Sequence, residues 1–108
     1  MKRILILSIS ILLLTVAAFA VVKTFVTPTH ATVFIAGPNQ TVTISAFCSN
    51  TPCNYHWIAV LSNNNVGGLD ATTGPQVHFT AGTDTGTAYI FAQETNSGSM
   101  AVSIVDVQ

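Results

Sequence analysis

Two cysteines, three histidines, four carboxylates and one Asn-x-Thr triplet are the chemically capable residues of this 108-residue chain, beside plentiful Ser and Thr. Cys48 and Cys53 are five positions apart. Two thiols fall short of the four ligands of a structural metal site. In an oxidising compartment, the plain expectation is a local disulfide, which for so short a loop contributes about 2 kcal/mol. His56 and His78 adjoin Trp57, Val77 and Phe79 in sequence, so the histidines face solvent if those three face a core. No Ser or Thr sits in a nucleophile-elbow context. The carboxylates Asp70, Asp84, Glu94 and Asp106 are scattered, with Asp84 in a turn and Asp106 near the terminus, and they suggest no glycosidase pair. No catalytic residue, metal site or cofactor is therefore expected. Asn39-Gln40-Thr41 matches the N-glycosylation sequon and lies in an expected turn.

The elements that must position these residues are strands. Beyond Pro28 the sequence alternates apolar and polar residues with period two, interrupted at regular intervals by turn chemistry. Strands are expected at 32–36, 41–48, 55–61, 69–71, 76–81, 87–95 and 100–107. Between them lie Gly37-Pro38-Asn39, the Asn63-Asn64-Asn65 and Gly67-Gly68 runs, Gly74-Pro75, Gly82–Gly86 and Asn96–Ser99. In 41–48, Val42, Ile44, Ala46 and Cys48 share one face. Seven short strands without helical periodicity predict an all-β sandwich or small barrel.

Ahead of this region, Met1-Lys2-Arg3 precedes an apolar run from Ile4 to Val22, broken only by Ser8, Ser10 and Thr15. As a helix, its roughly 19 residues would measure about 28 Å, close to the hydrocarbon thickness of a bilayer. The positive start orients it with its N-terminus in the cytoplasm. That length matches a retained membrane anchor. Thr29-His30-Ala31, with small residues three and one before a cut, matches a signal-peptidase site instead, as does Ala18-Phe19-Ala20. A pilin-type leader lacks its small residue after the basic pair and its nearby Glu. The expected division is thus 1–31 as signal or anchor helix with a short linker, and 32–108 as one domain of about 77 residues, small enough to benefit from a staple. The location is the outer side of a membrane, or the cell surface after secretion.

All three basic residues, Lys2, Arg3 and Lys23, belong to or adjoin the apolar run. From Thr24 onward there are four acidic residues and no Lys or Arg, giving a formal charge of −4 with neutral histidines. Such a domain cannot neutralise phosphates, which excludes nucleic acid as a partner. Anionic lipid headgroups are poor partners for the same reason.

Tyr55-His56-Trp57 resembles the strand C of the immunoglobulin-like superfamily, in which that Trp fills the space between two sheets. Gln40–Ala46 resembles strand B of bacterial and archaeal immunoglobulin-like modules, and Gly86–Ala92 resembles their strand F. The similarity spans most of Thr32–Val107. The inter-sheet disulfide of the family is absent, since Ile90 and Ala92 occupy the strand-F positions, and no tyrosine corner is evident. The resemblance implies a seven-stranded immunoglobulin-like β-sandwich, preceded here by one N-terminal hydrophobic helix. Trp57, Ile44, Val77, Phe79 and Ile90 are then its core, and His56 and His78 lie on opposite sheets.

With Trp57 and Ile90 inside, alternation turns Ile58, Val60, Tyr89, Phe91 and Val105 outward. In the family their strands, C, F and G, are neighbours, so these side chains are expected to form one apolar face, with Phe34 and Phe47 on the other sheet. A large exposed apolar patch marks an interaction site. The chain is therefore expected to be an anchored extracytoplasmic interaction module, an accessory or surface subunit packing on another protein through the C–F–G face. A self-assembling subunit of an extracellular filament or sheath is the alternative, and a small secreted hydrolase is less favoured.

Overall fold

The computed structural model describes residues 22–49 and 52–108. Among these residues, eight strands make up two four-stranded sheets. They are β1 (Thr24–Thr27), β2 (His30–Val33), β3 (Thr41–Cys48), β4 (Tyr55–Leu61), β5 (Gly67–Leu69), β6 (Gln76–Ala81), β7 (Gly86–Glu94) and β8 (Met100–Val107). One sheet has the order β1-β3-β6-β5 and the other β2-β8-β7-β4. All pairs are antiparallel except β2 with β8. The expected N-terminal helix falls on residues outside those described, apart from Val22. Among the described residues no helix is long and apolar enough to cross a membrane.

The sandwich-like layering follows from period-two alternation, because successive side chains of a strand point to opposite faces. Ile44 and Ala46 of β3, Val77 and Phe79 of β6 and Val26 of β1 face inward from one sheet. Tyr55 and Trp57 of β4, Ala88, Ile90 and Ala92 of β7, and Val105 and Val107 of β8 oppose them from the other. Burying a side chain of Phe or Ile size contributes about 1.5–3 kcal/mol. Trp57 also donates its indole N–H to the Gly74 carbonyl at 2.8 Å, and its backbone N–H bonds the Thr72 carbonyl. The segment before β6 thereby covers the open edge of β4, which would otherwise be a free strand edge. Gly67 permits a close approach: a Cβ there would collide with the Thr80 carbonyl and the Phe79 ring.

Two departures from the expected division concern the start of the domain. A strand at Thr24–Thr27, upstream of the anticipated boundary at 31/32, pairs with the second half of β3 through Thr24↔Cys48 to Thr27↔Ser45. The chain then crosses to the other sheet through a cis Thr27–Pro28 peptide. There β2 lies against β8, and it spans 30–33 instead of 32–36. Ser103, fully buried, donates its hydroxyl to the Pro28 carbonyl at 2.6 Å and anchors the crossing. Thr29-His30-Ala31 therefore lies in the crossing and the first half of β2. A cut after Ala31 would remove β1 and divide β2, whereas one after Ala20 would spare both.

Candidate interaction face

The outward side of the β2-β8-β7-β4 sheet is built by strand register. Val60 stands opposite Tyr89, which stands opposite Ile104. One pleat along, Ile58, Phe91 and Val102 make a second row, and His56, Gln93 and Met100 a third. Directly opposed side chains in a sheet are about 4.5–5.5 Å apart at Cβ, so these rows form one continuous surface. Its exposed apolar residues range from Val102, 37% exposed, to Val60 at 52%, with Tyr89, Ile58 and Met100 between them. Phe91 and Ile104 are half-buried.

Val105 does not belong to this face. It pairs with the inward-facing Ala88 and is 0% exposed. The outward members of β8 are Met100, Val102 and Ile104 instead. The polar residue that would normally signal the outer face, Ser103, points inward in β8 because the Pro28 carbonyl satisfies it. Alternation read from hydrophobicity therefore misassigns Val105 there. The correction enlarges the apolar face.

A charged rim closes one end of the surface. His30 of β2 meets Asp106 of β8 at 2.6 Å, and Thr87 of β7 donates to the other Asp106 oxygen at 3.4 Å. No other formal charge lies in these rows. On the opposite sheet, Asp70 accepts from the His78 backbone N–H at 2.8 Å and lies 2.7 Å from His78 Nδ1. The His78 backbone amide first, and then its side chain, hold the Asp70 carboxyl below its ordinary range. His56 and His78 lie on different sheets and do not converge.

The outer side of the β1-β3-β6-β5 sheet is polar along most of its length: Thr27, Ser45 and Gln76, then Thr43 and His78, then Thr41 and Thr80. Its apolar members are Phe25 and Phe47, paired across β1 and β3 and stacked with ring centroids 5.4 Å apart. They are 44% and 51% exposed. Phe34, expected beside Phe47, sits instead in the exposed loop after β2. Asn39 is exposed in that same loop, where its carbonyl accepts the Phe34 N–H.

Cys48 and Cys53 form a disulfide, tying the end of β3 to the approach of β4. Beside it, Glu94 is 2% exposed and fully engaged. One carboxylate oxygen accepts the N–H groups of Asn96 and Ser97, and the other accepts that of Asn54. Burial pushes its pKa up, but the Ser97, Asn54 and Asn96 amides outweigh that and hold it below the usual value. Glu94 thus fastens the β7–β8 turn to the β3–β4 loop. Nothing in its sequence context announces this, because its three donors come from turns whose geometry only the fold creates. Among the described residues no group of three or more His, Cys, Asp or Glu is placed to hold a metal ion. No protein-family model matches the chain and no curated protein is similar to it in sequence, so its function is read from its own residues.

Proposed function

We propose that the chain is a membrane-anchored extracytoplasmic module of immunoglobulin-like type that packs on another protein through the outer face of β4, β7 and β8. The observation that carries this reading is the two-row apolar surface of Ile58, Val60, Tyr89, Phe91, Val102 and Ile104, bordered by Met100 of the third row. Contiguous apolar patches of this kind mark interaction sites. Since the rows hold no unpaired formal charge, the partner surface that fits them is itself apolar and poor in charge.

The immunoglobulin-like assignment is supported by connectivity. The orders β1-β3-β6-β5 and β2-β8-β7-β4 correspond to A-B-E-D and A′-G-F-C. The parallel β2–β8 pair and the buried Trp57 on β4, strand C, fit the same scheme. Fold of this kind hosts many functions, so the face and not the fold carries the proposal. The anchoring part rests on the length of the apolar run Ile4–Val22; the loss of β1 disfavours a cut after Ala31 but not one after Ala20.

A second reading, self-assembly into a filament or sheath, is favoured by the same lack of unpaired charge, which lets two copies meet without like-charge opposition. Chromatography of the full chain in mild detergent, at native expression level, separates the two. A defined hetero-complex supports the first reading, and open-ended homo-polymers support the second. Tyr89→Asp places a carboxylate at the centre of the surface, on an exposed side chain. It is expected to abolish either association while leaving the circular dichroism spectrum unchanged. Undiminished assembly of that variant sinks the assignment of this face.

A further inference from the structure

We propose that the end of the domain bearing Phe25, Phe47 and the disulfide rests on the headgroup layer of the bilayer, the two aromatic rings entering the lipid interface. The inference rests on the anchoring reading above, and it adds an orientation and a second contact surface.

Three independent features meet at that end. The first is the absence of a linker. The apolar run of the sequence stops at Val22, and ordered pairing already begins at Lys23, whose N–H bonds the Ser49 hydroxyl and whose carbonyl accepts the Ser49 N–H, both at 3.0 Å. From Val22 to Phe25 is about 10 Å of extended chain. The headgroup layer is itself about 5–8 Å deep on each side of the hydrocarbon core. A domain joined so tightly is held against the membrane by whichever end carries β1.

The second feature is where apolar surface occurs on the β1-β3-β6-β5 sheet. Thr, Ser, Gln and His occupy its outer face except at this end, where Phe25 and Phe47 stack in the open. Phe is among the residues that settle at the boundary between headgroups and acyl chains. Lys23, between the rings and the apolar run, can extend its ammonium to the same polar layer.

The third is charge. Thr24 N–H bonds Ser99 Oγ at 3.0 Å, so the β7–β8 turn shares this end with the β3–β4 loop. The acid located there is Glu94, buried with both oxygens occupied by backbone amides. Asp84, in the turn before β7, and Asp106, late in β8, lie toward the opposite end, while Asp70 sits midway beside β6. The exposed anions of the domain are thus displaced from the surface assigned to lipid. With no cluster of cations there, that surface needs no anionic lipid, and a zwitterionic phosphatidylcholine layer can receive it.

The test uses the full chain in phosphatidylcholine nanodiscs doped with a lipid carrying a nitroxide on its headgroup. Amide NMR signals of Phe25, Phe47 and Ser97 are expected to be broadened several-fold more than those of Asn39, Asn64 and Asp84. In the doubly substituted Phe25→Ser, Phe47→Ser chain, which alters only exposed side chains, this contrast is expected to shrink while the chain stays disc-bound. Equal broadening at both ends, or stronger broadening at Asn64 and Asp84, overturns the orientation and leaves anchoring intact. An unchanged contrast in the double variant overturns the role of the rings. Release of the chain from the discs, read by co-elution, overturns the anchor and this inference together.

Discussion

Glu94 shows how one side chain can fasten two loops. Its carboxylate is held below the ordinary pKa by three backbone N–H groups despite burial. A group whose folded pKa is depressed stabilises the fold above its unfolded value, near 4.3 for Glu, and loses that contribution as pH falls through the folded value. Thermal midpoints are therefore expected to hold steady near neutrality and to fall as pH drops below about 4.3. Glu94→Gln offers one acceptor oxygen in place of two, so its midpoint should lie lower at pH 7 and depend less on acid. Asp70, held low by His78, keeps a residual slope of the same sign. A variant matching wild type at pH 7 would exclude this role. Burial of Ile44, Trp57, Val77, Phe79 and Ile90 follows from alternation, since each lies two positions from another inward residue or opposite one across a ladder. Glu94 and Ser103 do not follow from it, because a buried polar group is licensed by partners distant in sequence, such as Pro28 for Ser103.

At the scale of elements, β1 and the disulfide bracket the same end of β3, and both are accessible to experiment. Replacing Cys48 and Cys53 together by Ser releases a short loop and should lower stability by about 2 kcal/mol. For a domain of this size that corresponds to a melting point about 8–16 °C lower. An unchanged midpoint would show the bond to be energetically idle. Truncation offers the complementary measurement. A chain beginning at Val21 keeps β1 and should unfold cooperatively. One beginning at Thr32 lacks β1 and half of β2, leaves the β3 edge unpaired and uncovers Val26's site. It should lose cooperative unfolding and dispersed amide signals, and a well-folded Thr32–Gln108 fragment would contradict this. The strands β3, β4, β6 and β8 are legible in the sequence because clear turn chemistry bounds them. β1 is not, since its four residues follow directly on the apolar run and their alternation is masked by it. β2 is displaced for a related reason: Val33, Phe34, Ile35 and Ala36 extend the apolar stretch, yet the ladder to β8 ends at Val33.

At the scale of the whole molecule, the exposed large apolar side chains among the described residues fall in three places: the β4-β7-β8 face, the Phe25–Phe47 pair, and the loop after β2 with Phe34 and Ile35. The β4-β7-β8 face lies along the flank of the domain, and the Phe25–Phe47 pair sits at the end where β1 begins, next to the apolar run of the sequence. The flank was partly legible, because Ile58, Val60, Tyr89 and Phe91 follow from alternation about Trp57 and Ile90. The rest depended on the β8 register, which Ser103 obscures. The parallel β2–β8 pair bears on how the domain responds to force. These strands run parallel, β2 continuing from the end where β1 begins and β8 leaving toward the opposite end. Pulled apart through the N-terminal end of β2 and the C-terminal end of β8, the two strands carry the load in opposing directions. The four paired positions from His30↔Ile104 to Val33↔Val107 are then strained together in shear, and cannot open one at a time like a zip. Under tension applied in this direction, the domain is expected to yield late and abruptly.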